Sequence, residues 1–193
     1  MKKYSLLIIT AALMACSTKE KPVIDAPAMI YTDLKNTSVK QGQAFHIDLD
    51  KDGMRDLSFG TWDIGSPMHQ EDRVLFYAES YIHTLLLMDT TNESTPVYNP
   101  GDLIALPAMP AHHQWYPMSL AELAKKHIPD MNPVYWDGIW RQASHRYMAI
   151  KIIKGNQWYA GWIELSFNTT TEQIVLHKAA ISKMPYVSVT AGR

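Results

Sequence analysis

A mainly β fold is predicted for this chain, a β-sandwich or jelly-roll-like single domain carrying one short helix, and three observations predict it. Strand-like runs of apolar and β-branched residues recur at short intervals, separated by Gly, Pro and Asn turn signals. The C-terminal part, Ser144 to Ile181, reads as a three-strand meander: Ser144–Ile153, a Gly155-Asn156 turn, Gln157–Phe167, a second turn at Asn168–Thr171, then Ile174–Ile181. Only one stretch has helical start and stop signals. Ser119 stands three residues before Glu122 as in a capping box, Leu120, Leu123 and Ala124 share a helical face, and Pro129 stops the run near His127.

The first 16 residues lie outside that fold. Lys2 and Lys3 make a charged start, Leu6–Met14 is apolar but too short to span a bilayer, and Leu13-Met14-Ala15-Cys16 closes the segment. This pattern resembles a bacterial lipoprotein signal with its lipobox, which implies that Cys16 is diacylated and becomes the mature N-terminus. The chain has a single Cys, and it stands where the lipid would go. Two or three acyl chains hold a protein on a membrane where one is marginal. Residues 17–27 then read as a flexible tether, with Lys19, Glu20 and Lys21 resembling surface-export signals of Bacteroidetes lipoproteins. Residues 28–193 form the predicted domain. The expected location is the bacterial cell envelope, lipid-anchored at the outer membrane.

Along that domain, Met29–Leu34 is a strand ended by Lys35-Asn36, Ala44–Leu49 a second and Leu57–Trp62 a third. After a break at Gly65-Ser66-Pro67 come strand-like Val74–Glu79 and Ile82–Met88. Pro107, Pro110 and Pro117 deny their segment a central place in a sheet. Pro133–Trp140 is an aromatic loop.

Between the second and third strands lies F-H-I-D-L-D-K-D-G-M-R-D-L-S-F-G, Phe45–Gly60. Asp48, Asp50, Asp52 and Asp56 repel one another unless a cation sits among them. A hard divalent ion takes six to eight oxygens at about 2.3 to 2.6 Å, which alternating side chains of a curled loop and one carbonyl supply. Gly53 stands where the loop must turn sharply and positive φ is needed. The alternative reading is a polar turn in which Asp side chains bond their own backbone.

The loop resembles the calcium loops of EF-hands, dockerins, thrombospondin type 3 repeats and FG-GAP repeats. That likeness implies calcium as cofactor, with Asp48, Asp50 and Asp52 as ligands one, three and five, the Met54 carbonyl, and Asp56 at position nine. Phe59 replaces the bidentate Glu of an EF-hand at position twelve. A wider resemblance covers Ile30–Leu34, Asp48–Phe59 and Tyr159–Leu165, which are similar to segments of uncharacterised secreted β-rich proteins of Bacteroidetes and other bacteria. Ala160 departs from the aromatic-Gly-Trp of that last motif. The resemblance implies architecture and no activity.

Elsewhere catalytic signals are missing from the sequence. There is no G-x-S-x-G elbow and no H-E-x-x-H spacing; adjacent His112 and His113 point oppositely on an extended chain. Asp137 and Glu164 are a carboxylate pair only if the fold brings them together. Loss of the leader leaves 16 basic against 19 acidic residues, which excludes a nucleic-acid partner. Aromatics in the Pro-containing loops, Trp115, Tyr116, Tyr135, Trp136 and Trp140, are candidate ligand contacts, with packing as the competing account; Trp158 and Trp162, at spacing four on one strand, read as core. The expected function is a lipid-anchored, calcium-binding, non-enzymatic β-domain in which the ion is mainly structural. A carbohydrate-binding or adhesin-like module, partnered by a glycan or surface protein, is the alternative, and an envelope hydrolase the third.

Overall fold

A computed structural model describes residues 26–193 apart from 67, 69, 93 and 107–109, and apart from the side chain of 66. Cys16, its leader and most of the tether lie outside the described residues. Among the described residues there are thirteen strands: β1 (Met29–Lys40), β2 (Ala44–Ile47), β3 (Leu57–Ser66), β4 (Glu71–Ser80), β5 (Thr84–Asp89), β6 (Leu103–Ile104), β7 (His113–Pro117), β8 (Leu120–Pro129), β9 (Tyr135–Asp137), β10 (Arg146–Lys154), β11 (Gln157–Asn168), β12 (Gln173–Ser182) and β13 (Val189–Thr190). They form a six-stranded sheet in the order β1-β12-β11-β10-β5-β7, a five-stranded sheet β2-β3-β4-β8-β9, and a ribbon β13-β6, with neighbouring strands antiparallel. The two large sheets pack as a sandwich.

Each strand of the meander alternates as its pattern requires. Met148, Ile150 and Ile152 of β10, and Ile163, Leu165 and Phe167 of β11, point between the sheets into one core with Leu57, Phe59 and Phe76. Their alternates face the other way and would be solvent-exposed in a simple sandwich. Instead Ala149, Ala160, Trp162 and Ala180 form a second core under Ile104, Leu106, Val189 and Ala191, supplied by the ribbon and the residues flanking it. Two-sided burial explains why β10 is buried without a break from Tyr147 to Ile152. At Gly161 a Cβ would lie 2.4 Å from the Ala180 carbonyl oxygen, so only glycine permits this approach of β11 to β12.

The predicted helix at 119–127 is a strand. β8 pairs with β4 on one side and β9 on the other. Ala121 and Leu123 point inward by strand alternation, and an irregularity opposite Phe76/Tyr77 brings the next residue, Ala124, into the core as well. That bulge produced the Leu120, Leu123, Ala124 spacing that resembles a helical face. Ser119 makes no capping box: its hydroxyl donates to the Pro117 carbonyl, and Glu122 instead pairs with Lys125 at 2.8 Å. Helix propensities differ by only tenths of a kcal/mol per residue, and so short a helix is marginal, so cross-strand pairing and burial decide.

Lys35-Asn36 does not end β1 either. Both residues have positive φ, 55° and 53°, and form a bulge after which pairing with β12 resumes at Thr37. The proline-bounded 113–117 segment is an edge strand, and three residues of the aromatic 133–140 loop make edge strand β9.

Candidate metal centre in the acidic loop

The loop between β2 and β3 is closed at its base by the Asp56 N–H, which donates to the Ile47 carbonyl at 2.8 Å. Leu49, 2% exposed, drops into the inter-sheet core and pins the loop from within. Around that anchor the carboxylates take up the loop's own amides. Asp48 accepts from the N–H of Lys51 (2.7 Å) and of Gly53 (2.9 Å), Asp50 from Asp52 (3.2 Å), and Asp52 from Met54 (2.8 Å). Gly53 has φ +87°, as the turn requires.

Asp56 is the buried member. Its Oδ2 accepts from the Leu49 N–H at 2.7 Å and its Oδ1 from the Thr84 hydroxyl at 2.8 Å. Burial pushes its pKa up, against these two hydrogen bonds, and the neighbouring Asp50 charge pushes in the same direction as burial. Lys154, at the β10–β11 turn, approaches Asp50 at 3.3 Å. Beside them is an open cavity of about 500 Å³ lined by Asp50, Lys51, Asp52, His83, Ile153, Lys154 and Gly155.

Asp48, Asp50 and Asp56 each present a carboxylate oxygen within 4.8 Å of the other two. Two oxygens bound to one ion at about 2.4 Å lie at most about 4.8 Å apart, so the trio meets the separation limit for one shared metal ion. The donor set fits as well, since an ionised carboxylate has about four acceptor sites and the amide bonds leave some free. Three of the carboxylates expected from the spacing are thus together. Asp52 stands outside the trio, and Met54 is on the exposed outer turn. Thr84 and Lys154 were not foreseen, because they arrive from β5 and from the β10–β11 turn and nothing near the acidic motif announces them.

The loop aromatics do not converge. Trp140 is fully buried, its indole N–H donating to the Thr95 carbonyl at 2.8 Å, and Trp136 packs against Phe76 and Phe167. Both belong to the inter-sheet core, whereas Trp115 belongs to the second core on the far face of the six-stranded sheet. Tyr135 is half exposed and stacked on His127 with ring centroids 4.3 Å apart. Tyr116 is exposed and donates to Gln114. Asp137 and Glu164 stand on different sheets, and Glu164 is engaged by His145 at 2.7 Å. Trp162 is buried as expected of a core residue, but Trp158 on the same face is 46% exposed.

Comparison with protein-family models, with curated proteins and with solved structures finds no match to this chain.

Proposed function

We propose that this chain is a lipid-anchored, non-enzymatic β-domain of the bacterial cell envelope whose acidic loop binds calcium to brace the fold. The observation that carries the reading is the trio Asp48, Asp50 and Asp56, with carboxylate oxygens mutually within 4.8 Å. Its position favours a structural ion. Asp56 ties the loop to β5 through Thr84, and Asp50 reaches the β10–β11 turn through Lys154, so charge compensation here strengthens the link between the two sheets. The likeness of the motif to strand-flanked calcium loops points to the same cation, and an oxygen-only donor set suits a hard ion better than zinc. The anchor rests on the sequence around Cys16.

A cation bound by the folded state alone adds RT ln(1 + [L]/Kd), about 2.7 kcal/mol at a hundredfold excess over Kd. Calorimetric titration and thermal melts of the chelated protein are expected to show calcium heat and a rise in Tm, with magnesium a poor substitute because it demands a smaller octahedral shell. No heat and no shift at millimolar calcium overturns the metal reading. Separately, Cys16→Ser is expected to move the protein from the membrane fraction to the soluble one with an unchanged melt. Retention on the membrane after a salt wash overturns the anchor.

A further inference from the structure

The outer face of the six-stranded sheet carries a cation where its neighbours are apolar. Lys151 lies on interior strand β10, between Leu85 of β5 and Ala160 of β11, and is 6% exposed. Two indoles cover it: its Nζ is 4.4 Å from the Trp158 ring centroid and 5.1 Å from that of Trp115. No salt bridge among the described residues involves it. Burial lowers its pKa with no carboxylate near enough to raise it again. The Trp115 indole N–H is also buried without an acceptor. That N–H lies in the plane of the ring whose face Lys151 covers, so it is the ammonium alone that an anionic ligand oxygen can reach and compensate.

Above them the surface is aromatic and fixed. Trp158 is 46% exposed and Tyr186 54%, with ring centroids 6.1 Å apart. Tyr186 is held at φ 60°, unusual for a residue with a Cβ, by donating its N–H to the Trp158 carbonyl (2.8 Å) and its hydroxyl to the Asn156 carbonyl (2.6 Å). An exposed ring pair beside an ammonium with no carboxylate partner matches a ligand that has an apolar ring face and a carboxylate on the same small body. A neutral sugar offers the ammonium hydroxyl oxygens but no opposite charge, and a bare carboxylate leaves the exposed rings without a contact.

We propose that Lys151, Trp158 and Tyr186 form a binding site for a carboxylated sugar ring of the uronic-acid type, its C–H face on Trp158 and Tyr186 and its carboxylate taken by Lys151. None of the acidic-loop carboxylates belongs to this site. The test is a tryptophan-fluorescence titration of the full chain with sodium glucuronate, glucose and acetate, run in chelator so that its outcome is independent of calcium. Glucuronate is expected to saturate in the millimolar range, with glucose and acetate at least about tenfold weaker. Lys151→Met should weaken glucuronate about tenfold or more, and Trp158→Ala, which removes the exposed ring face, about threefold to tenfold. Melts establish that each variant is folded. As a second measurement, the Lys151 side-chain nitrogen resonance of the unmodified protein should move with glucuronate and not with glucose. No saturable change up to about 50 mM glucuronate, equal binding of glucose or acetate, or full affinity in folded Lys151→Met each overturns the proposal.

Discussion

The acidic loop and the Lys151 box both concentrate charge at the edge of a core, and they manage it in opposite ways. In the loop, carboxylates accept from amides a few residues away, so the polypeptide solvates its own charge before any cation arrives. In the box, a single ammonium rests on two aromatic faces brought by β7 and β11, with no oxygen accepting from it in a salt bridge among the described residues. Backbone amides are fixed dipoles that a short turn aims at an anion, whereas a buried cation needs an acceptor that the surrounding apolar strands do not carry. The loop can therefore order itself and gain from an ion, and the box holds a polarity that an anionic ligand would complete.

The largest expected effect falls where the loop meets the core. Asp56→Ala strands the buried Leu49 N–H and the Thr84 hydroxyl together, and chemical denaturation should show a loss of about 3 kcal/mol. A loss under about 1 kcal/mol would mean that the loop's charge is not integral to the fold.

Replacing the box cation tests the other half of the comparison. Lys151→Met exchanges a buried ion for an apolar chain of similar length, and should raise stability near neutral pH by about 1 kcal/mol. The pH dependence sharpens this. Because burial holds the folded-state pKa of Lys151 below its ordinary 10.5, the unfolded chain binds more protons between the two values, so wild-type stability rises with pH across that window. The difference between wild type and Lys151→Met should shrink as pH rises through it, measured by denaturant midpoints at successive pH values. A pH-independent difference would assign the effect to packing.

Smaller effects separate the members of the loop. Asp50→Asn removes one charge of the trio and its ion pair with Lys154; the metal-free protein should change by no more than about 0.5 kcal/mol, since the lost pair has its Lys154 end in solvent and its loss is offset by relief of the repulsion between Asp50 and Asp56, while calcium affinity falls about tenfold or more. Asp52→Asn is expected to do least. Its side-chain oxygen still accepts from the Met54 N–H, and its carboxylate is outside the trio, so calorimetry should find calcium affinity within about threefold of wild type. Equal losses for Asp50→Asn and Asp52→Asn would mean that the loop closes further around the ion than the trio alone indicates.

Local chemistry was legible in the sequence wherever the partners are neighbours in the chain. The meander was readable from alternation and two turns, the Asp48, Asp50 and Asp56 grouping from spacing, and the positive φ at Gly53 from the demand of the turn. Misreading β8 as a helix has the same root. A bulge places Leu123 and Ala124 both inward, and in a linear sequence that looks like helical periodicity, because only the strand opposite, at Phe76/Tyr77, reveals an extra residue.

By itself, the sequence determined a mainly β domain with four aspartates grouped in one turn, because strand alternation and turn chemistry act over a few residues. Tertiary structure alone decided which face of each strand met a core, that the six-stranded sheet has one on both sides, and that Trp136 and Trp140 pack inside while Trp158 remains open. It also brought Thr84 and Lys154 to the acidic loop and two indoles to Lys151. Those contacts join residues dozens of positions apart, and burial, hydrogen-bond satisfaction and charge compensation at such separations are set by strand order, which no local pattern encodes.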